Sequence, residues 1–419
     1  SLSSSHLNMK NRYRNTDSSI KAGDLILTEQ PFAFVLSSKE QGSRCDSCFE
    51  KGKVLKCSGC QFVYYCGRSC QKDAWGDHKW ECANFKRVAP KVLPDGARML
   101  AKIINRLYRG DGHSFRSFYS GTSFRMWKDL MSHYSDLKAD KKRMEHFTSL
   151  CVVLFEFLKD ISLPNTVELM GLYGRMVINS FMILDIDMNS IGTGIYLACS
   201  ILDHSCNPNA VATFDGKTIN IRAIKDMPCL DWNQMRISYI DLMKTPYDRQ
   251  TELLQNYYFI CQCDRCMGKL SENGVDNKDA LHCKECGTKY TEKHAEVFVK
   301  TMEFTHVHLQ NMERASVASH LTIIKSPLIF GVLLFKLCQK KSTLTFQNIL
   351  FRFYYGDRNP LLGLLYLKYG KILLYKMEIE KALVQLKHAE KIIKMTHGDG
   401  HPLYKEQLMP LLQQAIMES

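Results

Sequence analysis

The feature that most constrains this chain is a dense cluster of cysteines near its amino terminus. Residues 45–82 contain paired cysteine and histidine side chains that could bind metal: Cys45, Cys48, Cys57, Cys60, Cys66, Cys70, His78 and Cys82. So short a segment cannot bury much apolar surface, and metal binding would have to supply its folding free energy. Eight ligands are enough for two tetrahedral zinc ions.

The spacing predicts that alternate pairs share an ion. The predicted sets are Cys45, Cys48, Cys66 and Cys70 for one zinc, and Cys57, Cys60, His78 and Cys82 for the other. The i, i+4 spacing within each of the last two pairs predicts that each pair lies on one helix face. The alternative is a disulfide knot. The amino-terminal residues show no signal-peptide pattern, so a reducing compartment and metal ligation are favoured.

A second cluster, Cys261-x-Cys263-x2-Cys266, offers three thiolates. A water molecule would fill the fourth position in a catalytic zinc site, and a distant residue would fill it in a structural site. Cys206, in the run from Leu202 to Asn209, is the candidate for a third zinc, although it could simply be buried. A further pair, Cys283-x2-Cys286, could be free thiols or part of another site.

Composition excludes several classes of protein. The chain has 419 residues, of which 45% are hydrophobic and 24% charged, as in ordinary globular proteins. No apolar run reaches the roughly 18 residues of a membrane helix, so no membrane association is expected. The net charge of +13 is spread along the chain. This suits loose contact with acidic partners, and specific nucleic-acid binding is not expected.

Four motifs, in this order, resemble the SET and MYND domain-containing protein lysine methyltransferases. The first cluster resembles a MYND zinc module, and Leu202–Asn209 resembles the Asn-His-Ser-Cys-x-Pro-Asn signature of SET domains. Ser238–Asp241 resembles the strand that carries the catalytic tyrosine. Tyr257-x-Phe259, with the cysteines that follow it, resembles the post-SET zinc segment.

The resemblance implies an α+β fold in which a MYND module interrupts a split, β-rich SET domain. A helical insert, a post-SET zinc segment and an α-helical, tetratricopeptide-like C-terminal domain would follow. The implied boundaries are 1–44 for the first SET half, 45–82 for the MYND module, 83–175 for the insert, 176–241 for the SET core, 242–268 for the post-SET segment and 276–419 for the C-terminal domain.

Residue patterns support parts of this organisation. Helical spacing of apolar residues appears at Leu100, Ile103, Ile104 and Leu107. Asp215-Gly216 lies between two β-prone runs, which predicts a hairpin. Residues 366–389 match one tetratricopeptide-like repeat, and a generic helical bundle is the alternative.

The resemblance also implies methyl transfer from S-adenosylmethionine to a protein lysine, with three structural zinc ions. Tyr239 would direct its hydroxyl at the methyl group, while Phe181 and Tyr257 would line the lysine channel. The implied cofactor contacts are Lys10, Asn11, Arg12, His133, Asn179, Asp203, the His204 backbone, Tyr239 and Phe259. An aromatic channel favours the neutral lysine amine, because desolvation lowers the pKa of an ammonium group.

The chain departs from the family pattern at three places near the cofactor. Asn11-Arg12-Tyr13 replaces a Gly-x-Gly, Asp203 replaces an asparagine, and Trp232-Asn233-Gln234 replaces a Gly-Glu-Glu turn. The alternative function is therefore a catalytically weak or inactive interaction scaffold. For an enzyme, the resemblance implies a histone tail or a cytosolic protein as substrate, proline-rich peptides at the MYND module, a monomer, and a location in cytoplasm and nucleus.

Overall fold

The computed structural model describes residues 12–14, 18–159, 163–242, 244–268 and 355–419. Lys10, Asn11 and the Cys283-x2-Cys286 pair lie outside these residues. The predicted mixture of helices and strands is confirmed. In the described residues, no helix is both long and apolar enough to cross a membrane.

The helices, in chain order, are α1 (Arg68–Val88), α2 (Asp95–Arg109), α3 (Tyr134–Ala139), α4 (Lys141–Phe157), α5 (Thr166–Asn179), α6 (Pro246–Tyr257), α7 (Pro360–Tyr375), α8 (Ile379–Thr396) and α9 (Met409–Met417). The strands are β1 (Arg12–Tyr13), β2 (Leu25–Glu29), β3 (Ala33–Leu36), β4 (Leu55–Lys56), β5 (Tyr64–Tyr65), β6 (Ser117–Phe118), β7 (Phe124–Arg125), β8 (Ser180–Leu184), β9 (Ser190–Ile195), β10 (Asp203–His204), β11 (Ala210–Asp215), β12 (Thr218–Ala223) and β13 (Arg236–Ile237).

Strands that precede the cysteine cluster pair with strands that follow it much later in the chain. One sheet has the order β1-β2-β12-β11, and another has the order β3-β9-β8. All neighbours in both sheets are antiparallel. The β11–β12 hairpin turns at the predicted Asp215-Gly216, where Gly216 has a φ of +56°. Two parallel strands, β10 and β13, bring residues 203–204 beside residues 236–237.

The predicted helical insert is helical with one exception. In α2, the apolar residues of the predicted face, Leu100, Ile103, Ile104 and Leu107, are all buried in the core. A short hairpin, β6–β7, interrupts the helices, since Ser120-Gly121 favours a turn. The last helix, α5, runs to Asn179, four residues beyond the predicted boundary of the insert.

The described part of the C-terminal region is helical. The α7–α8 pair is antiparallel, because Gly370 lies against Leu386 while Gly363 lies against Ile392. A Cβ atom at Gly370 would be 2.6 Å from the Leu386 side chain, so glycine permits this close approach. A π-helical turn at Leu403–Leu408 leads into α9.

Hydrogen bonds join the C-terminal helices to the β11 strand. The His401 Nδ1 atom accepts from the Leu403 N–H, so its Nε2 atom carries the proton and donates to the Phe214 carbonyl at 2.8 Å. The Thr213 hydroxyl donates to the Thr396 carbonyl at 3.3 Å. His401 is therefore neutral and has both ring nitrogens satisfied.

A second histidine, His397, packs against His401 with tilted rings whose centroids are 4.7 Å apart. Burial lowers the pKa of His397 to about 3, and it also lowers the pKa of His401. Arg222 lies near both rings and disfavours their protonation, whereas Asp215 and Glu406 favour it at His401. The contact therefore requires two neutral histidines.

We expect the free energy of unfolding to fall as the pH drops from about 6.5, the ordinary pKa of histidine, towards about 3. Below pH 6.5 the unfolded chain binds protons that the folded state excludes, and each histidine contributes up to about 1.4 kcal/mol per pH unit. The measurement is urea denaturation at a series of pH values. His401→Gln should have a shallower slope than the wild type, and equal slopes would contradict this account. Zinc loss in acid affects both proteins alike, so the difference isolates the histidine.

Candidate functional site

The structure brings the predicted metal ligands together in three groups. The groups are Cys45, Cys48, Cys66 and Cys70; Cys57, Cys60, His78 and Cys82; and Cys206, Cys261, Cys263 and Cys266. Within each group all ligand atoms lie within 4.8 Å of one another. Four sulfur or nitrogen donors at such distances fit a tetrahedral zinc ion. The interleaved arrangement and the partnership of Cys206 with the second cluster therefore match the predicted sets.

One detail of the first group differs from the prediction. Cys66 lies two residues before α1 begins at Arg68, so Cys66 and Cys70 do not share a helix face. A turn brings their sulfur atoms within 3.4 Å of each other. In the second group, His78 and Cys82 do lie on α1, as the spacing predicts.

A buried arginine from α2 connects the first two groups. The Arg98 guanidinium donates to both oxygens of Glu81, at 2.5 and 3.2 Å, and to Asp46 at 2.9 Å. The Glu81 carboxylate also lies 3.2 Å from His78 Nδ1, while His78 Nε2 lies 3.5 Å from Cys60 Sγ. Carboxylates that bind the outer nitrogen of a metal-ligating histidine fix its orientation and tautomer.

Asp46 connects Arg98 to the metal group that contains Cys45, because Asp46 directly follows Cys45 in the chain. Its carboxylate accepts from the Tyr64 N–H at 2.9 Å. Asp46, Glu81 and Arg98 are all less than 10% exposed. Burial opposes the charged form of Glu81, but the charges of Arg98 and Lys102 and the hydrogen bonds from His78 and Arg98 together outweigh it and hold the pKa of Glu81 well below its usual range. Sequence reasoning missed Arg98, and the signal that could have suggested a partner is an acidic residue beside a cysteine in each group.

The third group is bonded to the predicted catalytic tyrosine through one histidine. The Tyr239 N–H donates to His204 Nδ1 at 3.0 Å, so His204 carries its proton on Nε2. That nitrogen lies 3.2 Å from Cys206 Sγ, to which it donates. Burial lowers the pKa of His204 to about 4, and the ring is neutral. Both of its nitrogens are engaged, so only its backbone is available to a ligand.

A second buried arginine, Arg249, lies beside the third group. Only 2% of it is exposed. It donates to the Lys244 carbonyl at 2.5 Å, and Nη2 lies 3.8 Å from Cys266 Sγ. Its positive charge offsets the negative charge of clustered thiolates, which would otherwise be costly to bury.

The Tyr239 hydroxyl donates to the Leu202 carbonyl at 2.5 Å. Burial raises the pKa of Tyr239 above its usual value, so the hydroxyl keeps its proton for this hydrogen bond. The Tyr239 ring lies 5.0 Å from Tyr257 and 5.4 Å from His204 between centroids. Phe259 completes the cluster at 6.1 Å from His204. The rings of Tyr239, Tyr257, Phe259 and His204 thus form one cluster.

Three other predicted site residues, Phe181, Asn179 and His133, make contacts of their own. Phe181, on β8, contacts Tyr196 edge to face and packs on the same core as Tyr239. The Asn179 amide donates to the Met131 carbonyl at 2.9 Å, and His133 lies 5.6 Å from Tyr258, the neighbour of Tyr257. These contacts connect residues 131–133 and 179 to the segment that carries the aromatic cluster.

Arg12 and Asp203, at two of the three departures from the family pattern, have exposed side chains. The Asp203 side chain is 75% exposed, and its carboxylate lies 4.0 Å from the Arg236 guanidinium. Arg12 is exposed on β1, opposite Thr28 of β2. Asp203 therefore has a cation close by and retains access to solvent.

Comparison with known proteins agrees with these groups. The profile of the MYND finger matches residues 45–82. The chain is similar to the histone-lysine N-methyltransferase SMYD3 of Homo sapiens, with 27% identity over 94% of this chain and 92% of that protein. It is also similar to the N-lysine methyltransferase SMYD2-A of Xenopus laevis, with 30% identity over 62% of this chain and 59% of that protein. The histone-lysine N-methyltransferase ASHR1 of Arabidopsis thaliana matches at 28% identity over 69% of this chain and 59% of that protein.

The fold and the site together define a protein of mixed helices and strands that binds zinc and carries a tyrosine within a cluster of aromatic rings. The chain contains a MYND finger and is similar, over most of its length, to proteins named histone-lysine or N-lysine methyltransferases.

The third group gives a first prediction about metal content. Cys206→Ser should lose one zinc ion per chain relative to wild type, because the group then retains three thiolates. Elemental analysis of purified protein provides the measurement. Cys199→Ser is the control, since Cys199 is buried outside the three groups and should leave the zinc content unchanged. Equal zinc content in wild type and Cys206→Ser would show that Cys206 is not a ligand.

Arg98 gives a second prediction. Arg98→Met should weaken zinc binding in both amino-terminal groups, by about 10–100-fold, because Glu81 and Asp46 lose their buried cation. Glu81→Gln should weaken chiefly the group that contains His78. Competition with a chromophoric chelator measures both. Arg106→Met, on the same helix but stacked on Phe32, is the control and should leave zinc affinity unchanged. Unchanged affinity in Arg98→Met would contradict the connection.

Proposed function

We propose that this protein transfers a methyl group from S-adenosylmethionine to lysine side chains of other proteins. The single observation that carries the proposal is the Tyr239 hydroxyl, oriented by the Leu202 carbonyl within a cluster of aromatic rings. The names of the related proteins, which describe histone-lysine or N-lysine methyltransferases, support the same activity.

The orientation of the hydroxyl determines what Tyr239 can do. Its proton is donated to the Leu202 carbonyl, and its raised pKa keeps that proton in place near neutral pH. Tyr239 therefore does not act as a general base. Its oxygen retains lone pairs that can stabilise a partly positive methyl group, and an oriented dipole of this kind costs no reorganisation during the reaction.

Tyr257 and Phe181 would form the walls of a lysine channel next to Tyr239. The Tyr257 hydroxyl lies 3.5 Å from the Tyr239 carbonyl, which ties the two rings together. A lysine ammonium that enters such a channel loses water, and its pKa falls towards the neutral amine that can attack. The rings also restrict the amine to one line of approach.

The cofactor would supply an electrophilic methyl group. Residues proposed to hold it are His133, Asn179, Asp203, the His204 backbone, Tyr239 and Phe259, together with Lys10, Asn11 and Arg12 at the amino terminus. The fit is supported by the contacts that join residues 131–133 and 179 to the Tyr257 segment. The exposed Asp203 can accept a hydrogen bond from an amine without a desolvation cost.

We further propose the domain organisation of a split SET domain. Pairing of β2 with β12 and of β3 with β9 supports a SET fold divided by the MYND module. The proposed boundaries are 1–44, 45–82, 83–175, 176–241, 242–268 and 276–419, in the order given above. The buried Gly370 contact and the antiparallel α7–α8 pair support a tetratricopeptide-like C-terminal domain.

Three structural zinc ions, a monomeric state and a location in cytoplasm and nucleus complete the proposal. The substrate class is a lysine in a histone tail or in another protein. The MYND module would bind proline-rich peptides.

The decisive test is Tyr239→Phe. We expect it to reduce methylation of a lysine peptide array by at least about 100-fold, while the affinity for S-adenosylmethionine changes by less than about threefold, because the ring still packs. Methyl transfer is measured with labelled cofactor, and affinity by calorimetry. Tyr173→Phe is the control, since it loses a buried hydroxyl bonded to His146, away from the site.

Activity of Tyr239→Phe within twofold of wild type would show that this hydroxyl has no catalytic role. A wild-type protein that binds three zinc ions but no S-adenosylmethionine would contradict the proposed activity and favour the interaction scaffold.

A further inference from the structure

The turn between β9 and β10 determines where the catalytic hydroxyl and the proposed cofactor contacts lie. Residues Cys199–Ile201 form a single 3₁₀ turn, and Leu202 ends it. The Leu202 carbonyl accepts a hydrogen bond from the Tyr239 hydroxyl. The next two residues, Asp203 and His204, are proposed cofactor contacts. Any movement of this turn would therefore move the acceptor of the tyrosine and the cofactor contacts together.

A buried carboxylate binds the amino end of the turn. Glu29, the last residue of β2, is 2% exposed. Its Oε1 atom accepts from the Ala198 N–H at 3.0 Å and from the Ser117 hydroxyl at 2.5 Å. Its Oε2 atom accepts from the Cys199 N–H at 2.8 Å. The first N–H groups of a helical turn have no partner within the turn, and a negative charge at this end is favourable.

An arginine binds the carboxyl end of the same turn. Arg125 Nη1 donates to the Ser200 carbonyl at 3.0 Å, and Nη2 donates to the Asp129 carbonyl at 2.6 Å. Ser117 and Arg125 are directly opposite each other in the β6–β7 hairpin. One hairpin therefore provides both the hydroxyl that binds Glu29 and the guanidinium that binds the other end.

We propose that Glu29 and Arg125 are positioning residues that clamp residues 198–202 at both ends and so hold the Leu202 carbonyl against the Tyr239 hydroxyl. This inference rests on the proposed function for its catalytic consequence. Neither residue belongs to a motif that carries the family resemblance, and neither touches Tyr239 through a hydrogen bond.

The site requires a carboxylate and would not tolerate its amide. In Glu29→Gln, an amide nitrogen at the Oε2 position would face the Cys199 N–H, and at the Oε1 position it would face the Ala198 N–H. Either orientation sets a donor against a donor, and one buried backbone N–H loses its acceptor. The substitution changes almost no volume, so its effect reports on this hydrogen bonding.

The test compares Glu29→Gln with Thr28→Val on zinc-loaded full-length protein. Thr28 is the neighbouring residue of β2, and its hydroxyl donates to Asn220 at 2.8 Å, so Thr28→Val also removes one side-chain hydrogen bond from that strand. In Glu29→Gln we expect faster hydrogen exchange at the Ala198 and Cys199 amides, an affinity for S-adenosylmethionine weakened about tenfold, and a kcat lowered by at least as much. Thr28→Val should change none of the three.

Ser117→Ala is a milder variant that keeps the test decisive if Glu29→Gln fails to fold. It removes one donor but leaves the Glu29 carboxylate with both backbone N–H groups, and we expect a loss of affinity of about two- to threefold. The proposal would be overturned if the Ala198 and Cys199 amides of Glu29→Gln exchanged hydrogen at the wild-type rate. It would also be overturned if Thr28→Val lost as much affinity for S-adenosylmethionine as Glu29→Gln. If wild type fails to bind S-adenosylmethionine, the proposed function fails, but hydrogen exchange still decides whether Glu29 holds the turn.

Discussion

Four thiolates from two distant stretches of the chain meet at Cys206, Cys261, Cys263 and Cys266. Metal coordination there would fix the segment that carries Tyr257 and Phe259 to the run that contains His204. Because the His204 ring bonds both Cys206 and the Tyr239 backbone, this junction also orients the tyrosine. The parallel β10–β13 pair holds His204 and Tyr239 beside each other, and the metal group adds the segment that carries Tyr257 and Phe259.

Buried charge is handled in a consistent manner throughout the described residues. Arg98 is matched by two carboxylates, Arg249 lies against thiolates, and Glu29 accepts three hydrogen bonds. Arg98 and Glu29 each join segments that are far apart in sequence, whereas the contacts of Arg249 lie within residues 244–266. Leaving Arg98 or its two carboxylates unpaired would cost several kcal/mol, so these ion pairs disfavour alternative packings more than they add stability.

The sequence alone predicts the metal groups well, because ligand spacing is local and tetrahedral zinc accepts few arrangements. The buried face of α2 and the Asp215-Gly216 turn are also predictable, since periodicity and turn chemistry act over a few residues. Glu29 and Arg98 were not predictable. Each acquires its role from partners that are distant in the chain, and a single glutamate at a strand end carries no local signal. Cys66 shows a further limit, since i, i+4 spacing is equally compatible with a turn that precedes a helix.

The pairing of β2 and β3 with strands beyond residue 190 has a consequence for how the protein assembles during synthesis. All ligands of the MYND finger lie within residues 45–82, so this module can bind metal as soon as it leaves the ribosome. β2 can pair with β1, but its other edge, and the edge of β3 that pairs with β9, stay unpaired until β9 and β12 are made. Non-local pairing of this kind is slow and leaves strand edges open to aggregation. In the nascent chain, a zinc-bound module would therefore lie beside strands with unpaired edges. We expect chaperones to bind this amino-terminal half during synthesis.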